Sequence, residues 1–255
     1  MSNQVRLEIT GALARLTLAR PDKLNALTLS MMEALDAACA TLERSDQVRA
    51  VILDSDNPRA FCSGADIQAW SQLGAKDMWR SWTRMGHRIY DRLATLPMPS
   101  IAALHGLAYG GGLELALACD LRIASSDCSF SLPETGVGAI PGWGGTRRLA
   151  RLVGPARTKN LIFRGMRLDA PTALAWGLIE EHVPVAQLGE RAKALAEEIA
   201  TRSPEAVQLC KQLIDAEDGG LSAETIAAGL ALALPNGREG AEAFRARRAP
   251  QFLDR

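Results

Sequence analysis

A chain of 255 residues, 47% hydrophobic and 23% charged, has the length and composition of one large globular domain with a substantial core. Its 29 basic and 29 acidic residues cancel to a formal net charge of +0, so charge gives no case for a nucleic-acid partner or an anionic membrane surface. The five cysteines, Cys39, Cys62, Cys119, Cys128 and Cys210, are scattered without a CxxC pair or a histidine at metal-ligand spacing, and are expected to be reduced thiols holding no metal.

In chain order, Val5 to Ile9 and Leu13 to Leu18 alternate apolar and polar residues around Gly11 and predict a hairpin at a sheet edge. Arg20 to Thr28, RPDKLNALT, is a turn into a helix capped by Thr28, with Met32, Leu35, Cys39 and Leu42 on one apolar face. Arg49 to Asp54 is a buried strand, and the alternation of strand and helix favours a parallel sheet with right-handed crossovers. The next stretch, NPRAFCSGADIQAW from Asn57 to Trp70, holds Gly64 in a loop just before a helix start. Arg80 to Leu96 is predicted as a helix whose Trp82, Met85, Ile89 and Leu93 face the core.

Ser100 to Leu104 is a short apolar strand set off by Pro97 and Pro99, and the chain then reaches Gly110, Gly111 and Gly112. A strand, a glycine turn and a helix start leave unpaired backbone N–H groups at the positive end of a helix dipole, a place that holds an oxyanion or a phosphate. Gly64 offers a second such set of amides, and two sets can face one oxygen. In the apolar helix that follows, Glu114 is the single charge; taken alone it is a favourable first-turn acid. Leu121 to Ala124 is another strand. Glu134 then lies in a loop of prolines and glycines, where alone it would read as a turn cap, and Gly142 to Gly145 opens a helix at Thr146. Gly136–Val137–Gly138 lacks the third glycine of a dinucleotide site.

Beyond Pro155 the pattern turns helical, broken by Gly165, Gly177, Pro184, Pro204 and the Gly219–Gly220 pair, with Leu178 to Val183 as the last strand. The basic clusters Arg147–Arg148–Arg151 and Arg245–Arg247–Arg248 are candidate phosphate contacts, although solvated helix faces explain such clusters more often. No apolar run approaches a membrane span, and the N-terminal MSNQVRLEIT lacks the pattern of a signal or transit peptide, so the expected compartment is the cytoplasm.

Four motifs in order, RPDKLNAL at Arg20–Leu27, FCSGADI at Phe61–Ile67, GLAYGGGLELALACD at Gly106–Asp120 and LPETGVGAIPGWGGTRRL at Leu132–Leu149, resemble the crotonase (enoyl-CoA hydratase/isomerase) superfamily and within it the enoyl-CoA hydratases. The tail REGAEAFRARRAPQF at Arg238–Phe252 resembles that family's last helix. The resemblance implies an α/β fold, a crotonase-like spiral of ββα units over residues 1–190, with a helical C-terminal region, residues 191–255, for oligomerisation into a homotrimer or a dimer of trimers. It implies an oxyanion hole made by the amides of Ala65 and Gly111, and catalytic roles for Glu114 and Glu134. The implied substrate is an acyl-CoA thioester, its CoA lying against Lys23, Leu24, Ser63, Gly64, Ala65, Asp66 and Ile67, with Gly142 also bordering the substrate. Lys23 is expected near a phosphate, and Arg247 or Arg248 is a weaker candidate.

The implied reaction adds water across the 2,3 double bond of a 2-enoyl-CoA, with no cofactor beyond the CoA of the substrate. Two alternatives stay open: an enoyl-CoA isomerase, which needs only the Glu134 carboxylate, and a non-catalytic acyl-CoA-binding or scaffold protein, against which two costly buried acids speak. Trp143 stands where relatives carry a small residue or Phe, and is expected either to shorten the acyl pocket or simply to pack. His105 and Ser63 suggest a nucleophilic pair, which the missing GxSxG elbow argues against.

Overall fold

The computed structural model describes residues 4–216 and 220–254, so Gly219 of the Gly219–Gly220 break lies outside the described residues. Six strands form one sheet in the order β1 (Val5–Thr10), β2 (Leu13–Leu18), β3 (Ala50–Ser55), β5 (Ser100–Leu104), β7 (Leu121–Ser125) and β10 (Glu181–Val183). β1 and β2 are the expected antiparallel hairpin, and every other pairing in this sheet is parallel. A smaller sheet takes β4 (Ala60–Cys62), β6 (Leu107–Tyr109) and β8 (Ser129–Ser131) in parallel and ends on antiparallel β9 (Leu168–Asp169). β3, β5 and β7 each pass the chain straight to the small-sheet strand that follows, so the same step from sheet to sheet repeats three times and the chain winds as a spiral.

The central strands β3 and β5 are buried on both faces and therefore read as apolar runs, unlike the alternating edge strand β1. Val51 and Leu53 of β3, with Ala102 and Leu104 of β5, point into the main core. There they meet α1 (Leu29–Glu43), whose Met32, Leu35, Cys39 and Leu42 are all buried and whose Thr28 cap accepts a bond from the Met31 amide. Ala50, Ile52, Ile101, Ala103 and Ile123 point the other way, onto Leu188, Ala192 and Ala196 of one later helix.

Short helices α2 (Ile67–Trp70) and α3 (Ala75–Asp77) follow the first glycine loop. The helix expected over Arg80–Leu96 is interrupted: Met78–Thr83 winds as a π-helix before α4 (Arg84–Ala94). Next come α5 (Gly111–Ala116), α6 (Gly145–Val153), α7 (Pro155–Arg164), α8 (Ala170–Trp176) and α9 (Leu188–Ala200). The boundary expected between residues 190 and 191 runs through α9, which is the helix covering the second face of the sheet, so α9 packs with the core. Beyond it lie α10 (Pro204–Asp215), α11 (Gly220–Ala233) and α12 (Pro235–Ala246). Lys211 of α10 reaches Asp120 at 2.8 Å and ties these helices to the core. All five cysteines are unpaired, four of them buried.

Candidate active site

β4 and β6 are parallel neighbours, so the loops leaving their C-terminal ends emerge side by side. The first carries Ser63, Gly64 and Ala65, and the second passes through Gly110 into α5. A Cβ on Gly64 would stand 3.2 Å from the Tyr109 carbonyl oxygen and 3.5 Å from the Gly111 nitrogen, while one on Gly111 would stand 3.4 Å from the Ala65 nitrogen. The Ala65 and Gly111 amides are thus close neighbours, and a Cβ on Gly64 or Gly111 would crowd the space between the two loops. Among the described residues neither amide donates to a protein acceptor. The sequence-predicted pair is therefore together, with both amides free of protein acceptors and Gly111 at the start of a helix.

The RPDKLNAL motif holds the first of these loops. Leu27 N–H donates to the Gly64 carbonyl at 2.8 Å, Asp66 N–H to Leu27 at 2.9 Å and Ser63 N–H to Leu24 at 3.0 Å. Asn25, fully buried at φ 53°, donates from its amide to the Phe61 carbonyl at 3.0 Å and to Ser55 Oγ at 2.6 Å. On the second loop, Tyr90 of α4 donates its hydroxyl to the Gly111 carbonyl at 2.8 Å.

The two carboxylates occupy unlike surroundings. Glu114 is only 2% exposed, and its Oε1 accepts the amides of Trp143 and Gly145, each at 2.8 Å. Burial raises this carboxyl above its ordinary range, and the amides of Gly145, Trp143 and Gly142 with the charge of Arg148 offset only part of that rise. Glu134 sits in the 3-10 turn Glu134–Val137, with Oε1 close against Gly110: a Cβ there would be 3.0 Å away. Among the described residues its Oε2 is buried without a hydrogen-bond partner. Burial, with a smaller contribution from the Glu114 charge, raises Glu134 to about 7. A carboxylate that accepts two amides beside a cation is suited to stay ionised; a carboxyl with an unpartnered oxygen is suited to hold a proton.

The comparisons with known proteins settle the family. The sequence profile described as enoyl-CoA hydratase/isomerase matches residues 8–255. The chain belongs to the enoyl-CoA hydratase/isomerase family. It is similar to the short-chain-enoyl-CoA hydratase of Clostridium acetobutylicum, 40% identical over 213 residues that span 84% of this chain and 81% of the relative. It is 34% identical to the crotonyl-CoA hydratase of Syntrophomonas wolfei, over 98% of this chain and 97% of that one. The crystal structure of enoyl-CoA hydratase from Bacillus anthracis superposes with a TM-score of 0.93 at 36% identity, covering 98% of this chain and 99% of the other. The crotonase fold and an enzyme of the enoyl-CoA hydratase type, a hydro-lyase, follow from this membership.

Placed in this family, the remaining residues divide. Leu24 and Ser63 meet through their backbones, with Lys23 exposed beside them and Ile67 exposed at the start of α2. Asp66 is engaged, capping α2 and pairing with Arg20 at 2.7 Å. Gly142 faces Glu114 with its amide. Arg248 is paired with Glu239 at 2.6 Å, and Arg247 caps α12 in the left-handed region. His105 bonds the Asn57 carbonyl at 2.6 Å and makes no pair with Ser63. Trp143 packs: it is 2% exposed, with Trp82 and Tyr90 rings at 5.3 Å. Its contribution to the site is the backbone amide on Glu114, which sequence reading missed; the two glycines after it were the available signal. Tyr90 and Arg148 were missed because nothing local marks a residue that acts across elements.

Proposed function

We propose that the protein hydrates 2-enoyl-CoA thioesters, with Glu114 as general base and Glu134 as general acid. The observation that carries this reading is the pair of unlike carboxyl groups beside the two loops that present the Ala65 and Gly111 amides. Glu114 takes a proton from water as its oxygen bonds to C3 of the substrate. The π electrons move toward the thioester, and the charge that gathers on its oxygen is held by the two amides. Each such donor contributes about 3–4 kcal/mol where comparable donors have been removed. Glu134 then gives its proton to C2, and the water has been added with atoms and charge balanced. Nothing in this sequence of steps calls for a metal or a redox cofactor.

Relatives named short-chain-enoyl-CoA hydratase and crotonyl-CoA hydratase support crotonyl-CoA as the substrate to try first. The CoA portion is assigned to Lys23, Leu24 and the Ser63–Ile67 loop. The cytoplasm is the proposed location; among the described residues no helix is long and apolar enough to cross a membrane. A trimer, or a dimer of trimers, is the proposed assembly.

The test is to follow the absorbance of the conjugated thioester with the purified protein, offering crotonyl-CoA and, separately, a 3-enoyl-CoA. Loss of absorbance with crotonyl-CoA and formation of the 3-hydroxyacyl product support the hydratase. A gain of absorbance with the 3-enoyl substrate, without hydration, assigns an isomerase. Tight binding of crotonyl-CoA with neither change assigns the acyl-CoA-binding role.

A further inference from the structure

The turn Gly142–Gly145 is one backbone layer thick between two opposite charges. On one side, its Trp143 and Gly145 amides donate to Glu114 Oε1. On the other, the Trp143 carbonyl accepts from Arg148 Nη1 at 2.9 Å. The two glycines mark the two sides: a Cβ on Gly145 would stand 2.6 Å from Glu114 Cγ, and a Cβ on Gly144 would stand 2.3 Å from Arg148 Nη1. Any side chain at either position would drive one charge away from the turn.

Arg148 is itself fixed. Its side chain is 11% exposed, and its second nitrogen, Nη2, donates to Asp91 at the end of α4. One guanidinium therefore spans from α4 to the turn that carries the donors for Glu114, using the fork geometry that lysine lacks. The groups facing Glu114 come from several elements: Glu134 from its 3-10 turn, Tyr90 from α4 and Arg148 from α6, while Cys62 of β4 faces Tyr90. Burial holds the Tyr90 hydroxyl and the Cys62 thiol well up, so both are neutral, and Arg148 supplies the positive charge.

Resting on the hydratase reading above, we propose that Arg148 is a positioning residue: bridging Asp91 and the Trp143 carbonyl, it sets the turn whose amides hold Glu114 as the ionised base. Arg148 need not touch substrate. Its effect reaches the reaction through peptide groups whose N–H faces the carboxylate and whose C=O faces the cation. The direction of its influence on Glu114 is downward, in agreement with this geometry.

The test pairs a carboxyl titration with kinetics. In protein carrying 13C-labelled glutamate, the Glu114 signal is assigned by its absence in Glu114→Gln and followed against pH in wild type, Arg148→Gln and Arg148→Lys. Arg148→Gln is expected to move the Glu114 titration to higher pH. With crotonyl-CoA it is expected to lower kcat by about 10- to 100-fold and to move the acid limb of its pH profile upward, with KM within about threefold of wild type. Arg148→Lys, which keeps the charge without the fork, is expected to restore most of the titration and part of kcat. An unmoved Glu114 titration in an Arg148→Gln protein that melts cooperatively overturns the proposal. Should that variant not fold, a wild-type kcat in Arg148→Lys overturns it instead. If wild type leaves crotonyl-CoA unchanged, the hydratase reading fails, while the carboxyl titration still decides the role of Arg148.

Discussion

A Cβ at Gly145 would stand 2.6 Å from Glu114 Cγ and 2.8 Å from its Oε1, inside any real contact, so Gly145→Ala must push the carboxylate or part the turn. Because Gly145 begins α6 and a helix accepts alanine readily, the expected result is a folded protein with kcat lowered about 100-fold, read by crotonyl-CoA turnover beside a melting curve. Glu134 allows a prediction of opposite kind. Its folded-state value of about 7 lies above the 4.5 of an unhindered glutamate, so the folded protein binds the proton more tightly than the unfolded chain. The stabilisation is complete below the unfolded value and is lost as pH rises toward 7, by on the order of 3 kcal/mol. Glu134→Gln keeps a neutral side chain throughout. Its melting temperature is therefore expected to match wild type in acid and to exceed it above neutrality; equal pH dependence in the two proteins would contradict the assigned environment. The same group predicts that wild-type kcat declines as pH rises through about 7, when the acid is lost.

One helix, α4, organises both halves of the site through Gly86 and Tyr90 on its buried face and Asp91 on its flank. Gly86 lies against the Trp143 ring, Tyr90 donates to the Gly111 carbonyl, and Asp91 anchors Arg148. Glycine inside a helix costs about 1 kcal/mol relative to alanine, and here the ring explains it: a Cβ on Gly86 would come within 2.1 Å of the Trp143 indole. Gly86→Ala is thus expected to lower stability by about 1–3 kcal/mol in spite of its helix propensity, measured by denaturant titration; a neutral or stabilising outcome would show that Trp143 can shift freely. Sequence reading reached the large sheet, since Ser100–Leu104 and the β1–β2 hairpin carry five or six residues of readable pattern. It did not reach the small sheet, because Ala60–Cys62, Leu107–Tyr109 and Ser129–Ser131 are three residues each, too short to show a period. Gly64, Gly111 and Glu114 were legible because a glycine turn or a lone acid in an apolar helix stands out locally, whereas Glu134, which alone reads as a turn cap, was reached only through the family resemblance of its motif. The Trp143 and Gly145 amides, Tyr90 and Arg148 were not, since their roles exist only after α4, α5 and α6 meet.

At the scale of the molecule, the spiral sets the loops after β4 and β6 beside each other, while α10 to α12 are tied to the core through Lys211–Asp120 and leave much of their surface exposed. α11 has no buried residue, and Ile214, Leu221, Ile226, Leu230, Leu232 and Phe244 are exposed along this helical region. Such an apolar surface supports the proposed self-association. Replacing Ile226 and Leu230 together by glutamate is expected to shift the protein toward monomer in sedimentation velocity; an unchanged mass would place the interface elsewhere. The central claim remains that two carboxyl groups share one addition of water, and it is tested most directly by the rate of crotonyl-CoA hydration in wild type, Glu114→Gln and Glu134→Gln. The account predicts turnover in wild type and a fall of at least about 100-fold in each variant, with both still folded and still binding crotonyl-CoA. Hydration at the wild-type rate in either variant would contradict it.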